Sequence, residues 1–252
     1  MIKILINGIN GKMGKEVAKL VLENNSMHLL GGLDRKVNHN LPYQVFTDTK
    51  SIFEKPDVII DFSTPNATIS LLPYCIQNNI AIVIATTGFN SEEQSKINDA
   101  STQIPIFQSA NMSYSVTLVS NIIAELSQKL PDSEIEIVET HHNQKKDSPS
   151  GTALMLANSI NSANNESYHY NLNRMNKKEK RNPKEIGFSS IRGGNIVGEH
   201  SVLFFSPNET LEIKHTAYSR SIFAEGSIKA AEFLNCQKNI HQVGLYTMQD
   251  LI

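Results

Sequence analysis

The chain opens on a short apolar run, Ile2-Lys3-Ile4-Leu5-Ile6, bounded by Asn7-Gly8, which reads as a buried strand. A glycine turn follows, and then Val17, Leu20 and Val21 recur at helical spacing until Asn24-Asn25. A second apolar run, 27–33, closes on Asp34-Arg35. Strand, turn, helix and strand in that order make a right-handed βαβ unit. Residues 57–62, 80–85 and 104–107 read as further buried strands, with helical stretches at 66–78 and 91–100 between them. Ser91-x-x-Gln94 has the form of a capping box, and Pro73 predicts a kink or a late start in the first of these helices. Alternating strands and helices predict a mostly parallel sheet covered on both faces.

The pattern changes after about residue 112. Residues 113–129 have a long helical period, and 134–139 (Glu-Ile-Glu-Ile-Val-Glu) alternate as a half-exposed strand does. Residues 152–163 read as helix. Alternating segments recur through 186–217, with Ser206-Pro207-Asn208-Glu209 as a turn between two of them. A last helix over 222–234 resumes an apolar face, and a short apolar tail ends the chain. The expected fold is α/β: a Rossmann-type dinucleotide-binding domain over 1–112, completed by 221–252, and an α+β domain over 113–220 with an open mixed sheet.

Composition narrows the class. The 252 residues suffice for one large or two small cores, and 40% hydrophobic with 19% charged residues is ordinary for a globular protein. A net charge of −2 gives no global pull toward nucleic acid or an anionic membrane. No apolar run reaches the roughly 18 residues a membrane span needs. Met1 leads directly into a strand, so no signal peptide is expected. Cys75 and Cys236 are too few for a disulfide framework and sit in core-like surroundings. A cytoplasmic location is expected. The stretch 158–182 holds eight Asn, with Lys177, Lys178, Lys180 and Arg181 clustered. It lacks interleaved aromatics, so a solvated connecting loop is expected rather than a nucleic-acid patch.

The turn Gly8-Ile9-Asn10-Gly11-Lys12-Met13-Gly14 lies between a strand and a helix, where backbone N–H groups and the helix N-terminus can receive a pyrophosphate. Its spacing is G-x-x-G-x-x-G rather than the commoner G-x-G-x-x-G. Asp34, 20 residues after Gly14, is placed to accept hydrogen bonds from ribose hydroxyls, while Arg35 suits a 2′-phosphate. NADH and NADPH therefore both fit. Ala85-Thr86-Thr87-Gly88 ends a later strand and is a candidate wall for the nicotinamide.

The densest chemistry is Glu139-Thr140-His141-His142-Asn143-Gln144-Lys145-Lys146-Asp147-Ser148-Pro149-Ser150-Gly151-Thr152. Adjacent histidines project differently, and no Cys or carboxylate cluster stands at ligand spacing, so no metal is expected. Proton transfer or anion binding fits the two histidines and two lysines. The small residues opening a helix at 148–152 can offer N–H groups to a carboxylate.

With its HH-x-x-K and D-x-P-S-G-T-A-L elements, the segment from Glu139 to Leu154 resembles the signature of bacterial dihydrodipicolinate reductases. The resemblance extends over nearly the whole chain: the glycine turn, Ala85 to Phe89, Ala110 to Ser113, Ile191 to Gly194, Gly198 to His200, Ser219-Arg220 and Gly244 to Tyr246. It implies NADH- or NADPH-dependent reduction of a cyclic imine dicarboxylate with loss of water, in lysine and diaminopimelate biosynthesis. It implies His141 and Lys145 as acid–base residues, and His142, Gly151 and Thr152 as substrate contacts. Gly8, Ile9, Asn10, Gly11, Lys12, Met13, Asp34, Arg35, Ala85, Thr86, Thr87, Ser109, Ala110, Asn111 and Met112 match cofactor contacts. Ala85 and Ser109 stand where the family often has Gly and Ala; both are small enough to keep main-chain contacts. The resemblance further implies a homotetramer built through the sheet of the second domain, which then serves substrate binding and oligomerisation. Another two-domain NAD(P) oxidoreductase would share the glycine turn but not the segment 139–154. A dinucleotide-sensing regulator would need a DNA-binding helix-turn-helix and a basic face.

Overall fold

A computed structural model describes residues 1–175 and 178–252. The chain divides into two compact units, 1–114 with 220–252, and 115–219.

The first unit holds β1 (Ile2–Asn7), α1 (Lys12–Glu23), β2 (Met27–Leu33), β3 (Val45–Phe46), β4 (Val58–Asp61), α2 (Pro65–Gln77), β5 (Ala81–Ile84), α3 (Ser91–Ser101) and β6 (Pro105–Gln108). Its seven strands are parallel in the order β12-β6-β5-β4-β1-β2-β3, where β12 (Gly244–Tyr246) comes from the chain end. Alternate residues of each strand serve opposite faces. Ile4 and Ile6 pack with α1 and with α6 (Ser221–Asn239), whereas Leu5 packs with α2 and α3. Strand order runs outward both ways from β1 and β4, so their carboxyl ends form a topological switch point, the place where open α/β sheets bind ligands.

The second unit contains α4 (Tyr114–Lys129), whose first residue falls in the first unit, then β7 (Glu134–His141), α5 (Gly151–Ala163), β8 (His169–Asn171), β9 (Glu185–Arg192), β10 (Gly198–Ser206) and β11 (Glu209–Ala217). The sheet is mixed, ordered β11-β10-β7-β9-β8, with β9 parallel to β7 and β8 and the other pairs antiparallel. Ile135, Ile137, Val202 and Phe204 point into a core built with Val116 and Ile123 of α4 and Leu156 and Ile160 of α5.

Several expectations are corrected. Helix α3 is capped by Asn90, not Ser91: Asn90 Oδ1 accepts the Glu93 N–H and Glu93 accepts the Asn90 N–H, both at 2.9 Å. The box is shifted by one residue because Asn and Glu satisfy the same donors as Ser and Gln. Helix α2 starts at Pro65, where the missing N–H costs nothing, and carries Pro73 inside it. Cys75 is buried, but Cys236 is exposed on the outer side of α6. The Asn-rich stretch 158–182 is not one solvated loop: it contains the end of α5 and strand β8, and Arg181 is anchored. The Arg181 guanidinium donates to the carbonyls of Ile135 (2.6 Å) and Glu185 (2.8 Å) and to Glu136 (3.2 Å). Lys177 of the basic cluster lies outside the described residues.

Candidate active site

In the first unit, Asn7, Gly8, Asn10, Gly11, Asp34 and Arg35 line a cavity of about 670 Å³, with Thr47, Asp48 and Ser63 among the other walls. Gly8 has φ +81°, and a Cβ there would run into the main chain of Phe62. Only glycine brings β1 and the β4–α2 turn this close together. Helix α1 has Gly11 as its N-cap and no side-chain cap, so its first turn presents N–H groups that no hydroxyl or carboxylate of the cap satisfies. Asp34 accepts the N–H of Asn10 (2.9 Å) and of Arg35 (2.7 Å), tying the glycine turn to the end of β2. Asn10 Oδ1 is buried without a hydrogen-bond partner. An uncapped helix start, an unmet acceptor and an acid at the strand end fit a dinucleotide.

The other candidate cofactor residues divide by side chain. Ile9 and Met112 are buried in the core, so only their main chain can face a ligand. Thr86 is also turned inward: its hydroxyl donates to Asp61 (3.0 Å) and accepts the Ser63 N–H (2.9 Å). Ala85, Thr87 and the run Ser109 to Asn111 follow β5 and β6, which are neighbours, and Ser109 N–H bonds to the Ile84 carbonyl at 3.2 Å. Behind these ends lies Asp61, fully buried. Its carboxyl group is met by Asn7 Nδ2 (2.8 Å) and by the hydroxyls of Ser63, Thr68 and Thr86. Burial pushes this group up, against the four hydrogen bonds.

In the second unit, Glu139 and His141 continue the inward row of Ile135 and Ile137, two residues apart along β7. Glu139 is where charge enters the core. Its side chain is fully buried and bonded to His141 Nδ1. Arg192, directly across from His141 on β9, grips both carboxylate oxygens at 2.8 and 2.7 Å. The Ser150 N–H adds a fourth contact at 3.2 Å. Burial alone would raise the Glu139 carboxyl, but hydrogen bonds from Arg192, Ser190 and His141 hold it at about 2. His141 is pushed down, by burial first and by the Lys145 and Arg192 charges, against the pull of Glu139.

Around this pair, the loop 142–150 is fixed at several points. The N–H of His142 bonds to the Ile196 carbonyl (2.8 Å), and Arg192 donates to the Asp147 carbonyl (2.8 Å). Lys145 Nζ lies 2.9 Å from the exposed Asp147 carboxylate. Ser150 caps α5 by accepting the Ala153 N–H (3.1 Å), and its Oγ lies 2.9 Å from His200 Nε2. His200 stacks edge-on against His141 at 5.1 Å. Burial and the His141 charge hold His200 down at about 4. Beside Gly151 the space where a Cβ would point is open. Lys145, the histidines and the start of α5 carry the donors and the positive charge that an anion or a proton transfer would need.

Two family models match the chain: "Dihydrodipicolinate reductase, N-terminus" over residues 2–112 and "Dihydrodipicolinate reductase, C-terminus" over residues 115–252. The chain belongs to the dihydrodipicolinate reductase family. The 4-hydroxy-tetrahydrodipicolinate reductase of Caldanaerobacter subterraneus subsp. tengcongensis is 47% identical over 252 residues, covering 100% of this chain and 98% of its own. That of Clostridium novyi is 43% identical over 253 residues, with the same coverage. A dipicolinate-bound dihydrodipicolinate reductase from Paenisporosarcina sp. TG-14 matches with a TM-score of 0.81 at 28% identity, covering 100% of both chains.

In this member of the dihydrodipicolinate reductase family, Glu139, Arg192 and His200 lie inside the stretches that carry the resemblance, but spacing alone assigns no role to them or to Asp61. Glu139 was the most accessible of them to sequence reasoning: a charged residue continuing a period-2 apolar row needs a buried partner. Glu139, His141 and His200 bring ligand-type atoms within 4.8 Å of one another. Both Glu139 oxygens are already held by a guanidinium, and Lys145 adds positive charge nearby, which opposes the binding of a cation by this grouping.

Proposed function

We propose that this chain reduces 4-hydroxy-tetrahydrodipicolinate to tetrahydrodipicolinate in lysine and diaminopimelate biosynthesis, using NADH or NADPH. The reaction consumes one hydride and one proton and releases water, leaving the oxidised nicotinamide. The observation that carries the reading is the segment from Glu139 to Thr152. It sets His141, Lys145 and the opening of α5 around one strand end, in a chain of this family.

The reduced nicotinamide supplies the hydride when bound. The uncapped start of α1 and the turn Gly8 to Met13 hold its pyrophosphate through N–H groups. Asp34 takes ribose hydroxyls and Arg35 a 2′-phosphate, so the chain accepts either cofactor form. Main-chain atoms of Ala85 to Thr87 and Ser109 to Met112 border the nicotinamide. His142, Gly151 and Thr152 hold a substrate carboxylate, with α5 contributing its positive end. Lys145 leaves Asp147 for the incoming dianion and gives a proton where hydride addition builds electron density. Loss of water breaks the C4–OH bond and a neighbouring C–H bond, and His141 Nε2 passes the proton from that carbon to the leaving hydroxide, so only the Lys145 proton is consumed. The enzyme acts as a cytoplasmic homotetramer. The outward face of the second sheet, with partly exposed Val138, Leu203 and Phe205 and exposed Ile191, supplies apolar surface for assembly.

Purified protein is expected to oxidise NAD(P)H only when given the condensation product of pyruvate and aspartate semialdehyde. His141→Ala and Lys145→Ala should each lower kcat by on the order of 10²-fold. Absence of turnover with fresh substrate refutes the function, and unchanged kinetics in both variants refute the roles.

A further inference from the structure

We infer that Glu139, clamped by Arg192, is the positioning residue for His141: it takes the Nδ1 proton and leaves Nε2 as the atom that meets the reaction. The inference rests on His141 being an acid–base residue.

The argument is one of hydrogen-bond capacity. A neutral imidazole has one N–H and one bare nitrogen. An ionised carboxylate accepts only, so the nitrogen facing Glu139 carries the proton. Glu139 is kept ionised by two Arg192 N–H donors and the Ser150 N–H. His141 Nε2 is then the bare atom, and it faces Gly198, where a Cβ would come within 3.0 Å of it. A side chain at 198 would crowd the working nitrogen. When Nε2 gains a proton, the resulting imidazolium finds the carboxylate already in place, as in the acid–base–orienter arrangement of hydrolytic triads.

Arg192 has a second part. A bare carboxylate against His141 would hold the ring protonated at rest. The bidentate guanidinium offsets that charge at Glu139, and burial first, then the Lys145 and Arg192 charges, push His141 down against the pull of Glu139. The same guanidinium holds the Asp147 carbonyl, so one side chain sets both the histidine and the loop that carries Lys145. His200 does not compete for the proton: its Nε2 is engaged with Ser150 Oγ at 2.9 Å, and burial, with the His141 charge, holds the ring down at about 4, so His200 is a neutral wall.

Histidine-selective ¹⁵N NMR of the full-length enzyme reads the tautomer directly. The expected result is protonated Nδ1 and bare Nε2 for His141 at neutral pH; the opposite tautomer overturns the inference without any variant. Glu139→Gln should lower kcat by on the order of 10²-fold, with KM within about threefold, and mix the His141 tautomers. Arg192→Lys, which keeps the charge but loses the fork, should raise the pH at which His141 titrates and fall between wild type and Glu139→Gln in kcat. If Glu139→Gln does not fold, Arg192→Lys and the wild-type spectrum carry the test. His141→Ala is measured alongside. If it is impaired while Glu139→Gln keeps both kcat and tautomer, the positioning role alone falls. If His141→Ala is unimpaired, the acid–base reading falls with it.

Discussion

Replacing Arg192 with alanine leaves a buried carboxylate without its guanidinium, and only protonation of His141 can supply part of the missing counter-charge. Four hydrogen bonds are lost: two to Glu139 and one each to the carbonyls of Ile191 and Asp147. Removing one partner of a buried pair costs about 3–5 kcal/mol. The Arg192 side chain is 21% exposed, so water enters the space, and the low end of about 3 kcal/mol applies. The Glu139 carboxyl gives a second view of the same cluster, to which Ser190 and His141 contribute alongside Arg192. Its folded value of about 2 against an ordinary 4.5, at ~1.4 kcal/mol per pH unit, corresponds to about 3 kcal/mol. The two figures describe the same interaction and are not summed. Because the folded value is the lower one, this stability is fully present above about pH 4.5 and drains away as pH falls toward 2. Urea unfolding across a pH series should therefore show Arg192→Ala about 3 kcal/mol below wild type at neutral pH, with the deficit shrinking through that window. Adding Glu139→Gln to Arg192→Ala should restore part of the loss, since no unpaired charge remains. A neutral-pH deficit below about 0.5 kcal/mol, or one that does not shrink on acidification, would refute the reasoning.

Gly8→Ala places a Cβ against the Phe62 main chain at φ +81°, and should cost upward of about 1–2 kcal/mol of stability and weaken NADH binding, read by cofactor fluorescence titration. Arg35→Ser should lower kcat/KM for NADPH by roughly tenfold or more, the worth of a charge-assisted hydrogen bond, while sparing NADH; equal losses for both would remove Arg35 from phosphate recognition. His200, held at about 4 against an ordinary 6.5, stays neutral when folded but takes a proton when unfolded, so wild-type stability should fall by about 3 kcal/mol as pH drops from about 6.5 to 4. His200→Gln should flatten that slope in urea titrations, and an unchanged slope would assign it to other groups.

The fold was legible where periods are long. The apolar runs of β1, β2, β4 and β5 and the alternation of β7, β10 and β11 carried the parallel and mixed sheets. Strands β3, β8 and β12, of two or three residues, are too short to show a period and exist because a longer neighbour offers its edge. The Asn90 cap and Arg181 were lost to composition: polar residues next to Ser and Asn look like loop until their partners are known. In the site, the local motif brought His141, Lys145 and Gly151 together because they share eleven residues of chain. Arg192 is 53 positions from Glu139, and His200 is 50 from Ser150. Those pairings come from sheet register, β7 against β9 and β10, which no spacing within one strand encodes.

That register raises the question of what the buried pair is for, and the answer is open to a separate test. Strand β7 uses one face for both purposes: Ile135 and Ile137 build the core, and Glu139 and His141 extend the same row. If the pair served the fold alone, a well-packed apolar replacement would serve as well, because exchanging a buried ion pair for hydrophobic residues of similar volume is often neutral or stabilising by about 1–4 kcal/mol. The double variant Glu139→Met/Arg192→Leu keeps the volume and removes both charges. The donor lost by the Asp147 carbonyl is made good by water, since Asp147 is exposed. It should melt within a few degrees of wild type, unlike Arg192→Ala, yet turn over as poorly as Glu139→Gln. A double variant that is both stable and active would show that β7 carries its charges for packing, and that His141 finds its orientation elsewhere.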